Sequence, residues 1–197
     1  MGEVTRKTLG EELAWQYANL ARVDVALKQG AKKFTTIHHM VRMRLYKGLV
    51  NGTMQMGSFC DDEKYKIGMN ICCYCNSPDH LGVDHLFPRQ KLGSDLAENL
   101  VFACRSCNSS KRDRDMLSWL HAQGKFPGIL LLRRYLKLAY FFCQKHDLMT
   151  RPWEEALTLD LPFDLKNLQI NLAPLSRPET LSMVHSTRLA PEEQHGE

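Results

Sequence analysis

Two cysteine pairs, Cys72-x-x-Cys75 and Cys104-x-x-Cys107, constrain this chain more than any other feature. Each short turn brings two thiolates to one side of a knuckle. Two such knuckles make the ligand set of a closed, tetrahedral structural Zn²⁺ site. The 28 residues between the pairs are more than a simple zinc ribbon uses, so a separate element must be looped out between them. The N-terminal stretch MGEVTRKTLGEEL has no apolar core of the kind a secretion signal needs, and the chain reads as cytoplasmic. In a reducing compartment, seven cysteines point to metal ligands and core thiols rather than disulfides. Cys73 reads as a bystander, or as an alternative to Cys72 by a shift of register. Cys60 and Cys143 read as core or surface thiols, and His80 as a loop histidine.

Helical flanks surround this centre. Thr8 and Glu11 have the spacing of a capping box, and Leu13, Tyr17, Leu20 and Val23 carry helical periodicity over 8–29 until Gly30. A second helix over about 37–50 sets Ile37, Met40, Val41, Leu45 and Leu49 on an apolar side, with Arg42 and Arg44 on a basic one. Residues 28–47 hold six lysines and arginines and no acid, a segregation that suits phosphate contact although the whole chain carries only +4. A helix runs from Asp115 to about Gln123, and another, long and mostly buried, over 128–146. The latter is broken by Arg133, Arg134 and Lys137 and cannot cross a bilayer, so no membrane partner is expected. Beyond Pro152 the chain becomes acidic and Leu/Pro-rich.

Inside the looped-out element, Val83 to Phe87 and Leu100 to Ala103 read as strands, joined by a turn-rich loop through Gly93, Ser94 and Asp95 and followed by a polar helix from about Arg105. In the first strand Asp84 and His85 are neighbours, so alternation sends them to opposite faces. This order (knuckle, Val83-Asp84-His85, loop, Asn99-Leu100, then Cys107-Asn108-x-x-Lys111) resembles the HNH endonucleases of the ββα-metal class over about residues 71–114. The fold class implied is α+β: a small zinc-stapled β-hairpin plus helix embedded between α-helical flanks. Residues 1–70 then form a helical N-terminal region with a basic helix, 71–123 the nuclease core with its zinc knuckles, and 124–197 a helical region with an acidic, proline-containing tail.

The resemblance implies a role for each matched residue. Asp84 takes the place of the metal-binding acid and His85 that of the general base that activates water. Asn99 matches the asparagine that holds the loop and helps position the histidine. Asn108 stands where many members have a last histidine and is carried over as the second ligand of a catalytic Mg²⁺ or Mn²⁺. Lys111 matches a basic position beside the scissile phosphate. A carboxylate with an amide oxygen suits a hard cation that keeps several waters. Histidine suits a base that must take a proton from water near neutral pH. Arg105, Lys111, Arg112 and Arg114, with Arg42, Arg44 and Lys47 on the basic helix, are the expected phosphate contacts. The implied reaction is hydrolysis of DNA phosphodiesters to 5′-phosphate and 3′-hydroxyl ends, with RNA left open because the core attacks a phosphate rather than a sugar. The flanking helices are left as DNA clamp, homodimer surface or dock for a partner protein in a restriction, antiphage defence or mobile-element setting. A non-catalytic, zinc-held nucleic-acid-binding module is the alternative, and so is a nuclease subunit active only with its partner.

Overall fold

The computed structural model describes residues 6–57, 70–91, 93–164 and 166 of the 197. Cys60 lies outside them. Helix α1 (Leu9–Lys28) starts where the sequence places it. The Thr8 hydroxyl accepts from the Glu11 amide and the Glu11 carboxylate accepts from the amides of Thr8 and Lys7, so three donors of the first turn are satisfied locally. It ends at Gly30, whose φ of 63° turns the chain left-handed. There Gly30 N–H meets Leu27 O and Ala31 N–H meets Ala26 O, a Schellman closure. Helix α2 (Thr36–Val50) packs along α1.

The face of α2 differs from the expected one. Ile37 and Met40 are 62% and 64% exposed, whereas His38, Tyr46 and Leu49 are buried. The reason lies on α1, whose facing residues Glu12, Gln16, Asn19 and Arg22 are polar and buried. Arg42 of α2 bonds to Asn19 at 3.3 Å, so α2 turns a polar side inward and leaves two apolar residues out.

The middle of the chain is a two-stranded antiparallel sheet, β1 (Leu81–His85) and β2 (Leu100–Cys104), with Leu81 opposite Cys104 and His85 opposite Leu100. Short 3₁₀ turns, Arg89–Lys91 and Ala97–Asn99, fill the connection. Helix α3 (Arg105–Lys111) leaves β2 directly and packs back on both strands. Helix α4 (Met116–Ala122) follows, capped by the Asp115 carboxylate on the Ser118 amide at 3.0 Å. Helix α5 (Ile129–Lys145) runs against α1 with Leu132, Tyr135, Leu136, Ala139 and Cys143 buried, and α6 (Trp153–Ala156) ends the ordered sequence of elements. The α+β class read from the sequence is what the chain forms. No helix among the described residues is long and apolar enough to cross a membrane.

One core joins the flanks to the hairpin: Leu9, Leu13 and Tyr17 of α1, Leu86 and Phe87 after β1, Trp119 of α4 and Tyr135 of α5 belong to it together. Trp119 meets Tyr74 edge-on at 4.9 Å and Phe87 meets Tyr135 edge-on at 5.2 Å, geometries that add to the area buried. The segment before α6 closes on the start of α1, where Gly10 N–H bonds Met149 O at 2.9 Å. A Cβ at position 10 would lie 2.8 Å from that same oxygen, so only glycine admits the approach.

Candidate metal centre and hairpin site

The first knuckle is a turn in which Asn76 N–H bonds Cys72 O at 2.9 Å, with Asn76 at a φ of 62°. Cys73 N–H reaches Phe102 O at 2.9 Å and ties this knuckle to β2. The second knuckle straddles the start of α3, where Cys104 is the N-cap. The four ligand sulfurs of Cys72, Cys75, Cys104 and Cys107 lie within 4.8 Å of one another. Cys75 Sγ and Cys104 Sγ are 3.7 Å apart. A tetrahedron with Zn–S bonds of about 2.3 Å has edges near 3.8 Å, so the donor set fits Zn²⁺ in number, kind and spacing. Backbone amides reinforce it: Tyr74 N–H and Cys107 N–H each point at a sulfur, Cys72 and Cys104 respectively, at 3.4 Å. The Cys107 amide is the main reason the Cys104 thiol is lowered to about 7, whereas burial pushes Cys75 and Cys107 up. Among the described residues no other group of three or more His, Cys, Asp or Glu side chains could hold a metal. Cys73 stands outside the cluster, Cys143 is a buried core thiol with its pKa pushed up to about 12 by desolvation, and His80 is an exposed loop residue.

From the cysteine cluster, β1 and β2 carry the hairpin to a second group of residues. Asp84 and His85 do face opposite ways: Asp84 is 5% exposed, while the His85 side chain remains partly open. The expectation that Asp84 turns toward a metal meets a different arrangement. Its Oδ2 accepts from Tyr74 Oη at 2.6 Å, and Lys111 Nζ lies 3.3 Å from Oδ1 and 3.2 Å from Oδ2. The face of β1 opposite His85 packs on Tyr74 and α3, and a carboxylate taken out of water there needs a cation. Lys111, only 1% exposed, supplies it and also donates to His85 O at 2.7 Å. In this arrangement Lys111 is a buried counter-ion to Asp84. Carboxylate and amide oxygens are suitable donors for Mg²⁺ or Mn²⁺, but a cation at Asp84 requires Lys111 to give way.

Asn108, one turn before Lys111 on the same helix, donates to Val83 O at 3.2 Å and thus lies along the same three residues of β1. Asn99 is buried at 1% exposure and spans the connection. Its Oδ1 accepts from Phe87 N at 2.8 Å, and its Nδ2 donates to Phe87 O at 3.0 Å and to Ser94 O at 2.8 Å. Gly93 shares in that loop, with its N–H on Pro88 O at 3.0 Å and no room for a Cβ beside Phe87 O. Arg134 of α5 bonds Ala97 O and Glu98 O from the other side.

The loop so held delivers a residue that sequence reading passed over. Asp95 Oδ1 lies 2.8 Å from His85 Nε2 and 3.2 Å from Arg89 Nε. A carboxylate only accepts, so the contact places the hydrogen on Nε2, and Nδ1 has no hydrogen bond among the described residues. The signal available in the sequence was an acid in the loop ten residues after the histidine, where it reads as an ordinary turn former. Of the basic residues expected at phosphates, Arg105 and Arg112 on α3 and its end, and Arg44 and Lys47 on α2, are exposed. Arg114 instead folds onto Lys111 O and Ser110 O and closes the end of α3. Arg42 stacks over Trp15 at 4.3 Å. The structure sets α2 against α1, while the hairpin is packed by α3 and, at its loop, by α5.

Residues 72–114 match the family model described as HNH endonuclease. The match covers the two knuckles, both strands and α3 and stops short of the flanking helices. No curated protein and no solved structure gives a significant match.

Proposed function

We propose, from the HNH-type segment at residues 72–114, that this chain is a metal-dependent endonuclease hydrolysing phosphodiester bonds in DNA, with RNA as a second candidate substrate. The observation that carries the reading is His85. It stands on the open face of a zinc-stapled hairpin, clasped through Nε2 by Asp95 and with Nδ1 left to accept a proton. In this reading His85 takes the proton from the attacking water and Asp95 keeps the ring in one tautomer and one orientation. Asn99 fixes the loop from which Asp95 reaches out. Arg105 and Arg112, both exposed, would contact neighbouring phosphates in this reading. A divalent cation taken up by Asp84 and Asn108 would stabilise charge on the phosphoryl and leaving oxygens.

Replacing His85 by Ala is expected to lower plasmid nicking in Mg²⁺ or Mn²⁺ by at least about 100-fold, the scale of a lost general base, with zinc content unchanged. Undiminished nicking by that variant would sink the reading. One observation favours a second reading, a zinc-held nucleic-acid-binding module without catalysis: both oxygens of Asp84 are already engaged by Tyr74 and Lys111. DNA binding by the wild type without cleavage across a panel of divalent metals would select it. Activity only in the presence of a cell extract would instead point to a nuclease subunit of a restriction, antiphage defence or mobile-element assembly.

A further inference from the structure

We propose that Arg22, Arg42 and His39 form a binding site for a phosphate group where the end of α1 meets the start of α2. The three are close enough to feel one another's charge, and Arg42 Nη2 contacts His39 Nδ1 at 3.3 Å. Arg22 is 8% exposed, yet it has no hydrogen bond or ion pair among the described residues. Its guanidinium lies 4.0 Å over the Phe34 ring, and its Nε and that of Arg42 are buried donors without acceptors. A guanidinium out of water is normally matched by a carboxylate, because desolvating the charge is expensive. Of the acids on α1, Glu12 belongs to Arg6 at 2.6 Å and to Gln16 at 2.7 Å. Asp24 is held by Lys28.

The remaining charges all have one sign. Lys32 and Lys33 are exposed on the connecting loop, and the first turn of α2, which carries His39, contributes the positive end of its dipole and no acid. Desolvation, reinforced by Arg42, lowers Arg22 to about 10, the direction expected of a guanidinium taken out of water beside a second cation. With Arg42 as donor, His39 Nδ1 accepts, and its Nε2–H is left as a further donor. The Arg22 guanidinium, the Arg42 Nε–H and the His39 imidazole, without a counter-ion among the described residues, suit a tetrahedral oxyanion, and Arg suits phosphate by its planar, paired donors. The phosphate can come from a nucleic-acid backbone or from a free phosphate compound. The site lies outside residues 72–114 and does not depend on the nuclease reading.

Thermal unfolding of the full, zinc-loaded chain in inorganic phosphate against chloride at matched ionic strength tests it. The wild-type midpoint should rise by about 5 °C at a phosphate concentration a hundred times its dissociation constant. Arg22→Met should show no such rise, and its midpoint in chloride should be no lower than that of the wild type. Should that variant not fold, the Nε–H resonances of Arg22 and Arg42 in the wild type decide, since both must shift on phosphate titration. Anisotropy with a labelled duplex separates the sources. If the backbone is the ligand, Arg22→Met binds DNA about tenfold more weakly, with a salt slope shallower by about one. Unchanged DNA binding by Arg22→Met, with the phosphate-induced rise confined to the wild type, assigns the site to a free phosphate compound. Equal phosphate stabilisation of wild type and Arg22→Met, or none together with static Nε–H resonances, overturns the site.

Discussion

Lys111 and Arg22 are both long cations withdrawn almost wholly from water, and they are treated in opposite ways. Lys111 ends on a carboxylate and a backbone carbonyl, with Tyr74 completing the shell of Asp84. Arg22 ends on the face of a phenyl ring, beside another arginine. A buried pair whose members satisfy each other works as a fastener, here between β1 and α3. A buried cation with no acid among the described residues is an arrangement that an anion would complete. Burial alone does not distinguish fastening from binding; the presence or absence of a partner does.

The comparison can be broken at several points. Stripping the zinc with a chelator removes an interaction worth about 10–16 kcal/mol in structural zinc peptides. Amide exchange should then collapse across the hairpin and α3, dissolving the Lys111–Asp84 pair, while α1 and α2 keep their protection. Equal loss in both regions would mean the fastener does not belong to the zinc module. Lys111→Met leaves Asp84 buried without a cation and should cost about 3–5 kcal/mol in denaturant unfolding. Adding Asp84→Asn to that variant should recover most of the loss, which is the signature of a pair. Asn99→Ala removes three hydrogen bonds at a buried amide and should cost about 2–3 kcal/mol, showing how a neutral fastener compares with a charged one. Arg22→Met should change stability least, by within about 1 kcal/mol and in the stabilising direction, because nothing in the described structure is left unpaired by it.

These effects also mark which features sequence reading could reach. The start of α1 was legible because a capping box is local, with Thr8 and Glu11 three residues apart. The hairpin was legible because its strands lie between two knuckles of fixed spacing. Alternation told that Asp84 and His85 part company, but not which side would be solvent, since that depends on Tyr74 before the strand and Trp119 well after it. The pairing of Asp84 with Lys111 is likewise invisible in the sequence, because it needs α3 folded back on β1. The face of α2 was misjudged for a similar reason: its apolar periodicity was weighed without the polar ridge Glu12–Gln16–Asn19–Arg22 that it meets. Asp95 was missed because only the fold of the connection, held by Asn99 and Gly93, brings it to the histidine.

Arg134 has one more consequence, for where this protein could be cut. Its guanidinium, buried in α5, grips the two carbonyls just ahead of Asn99. The loop that presents Asp95 to His85 thus takes its shape from a helix that begins well past residue 114, the end of the family-matched segment. Excising residues 72–114 would preserve every motif and discard the brace. A segment cut at residue 114 is therefore expected to hold the loop less well than one that carries α5 with it.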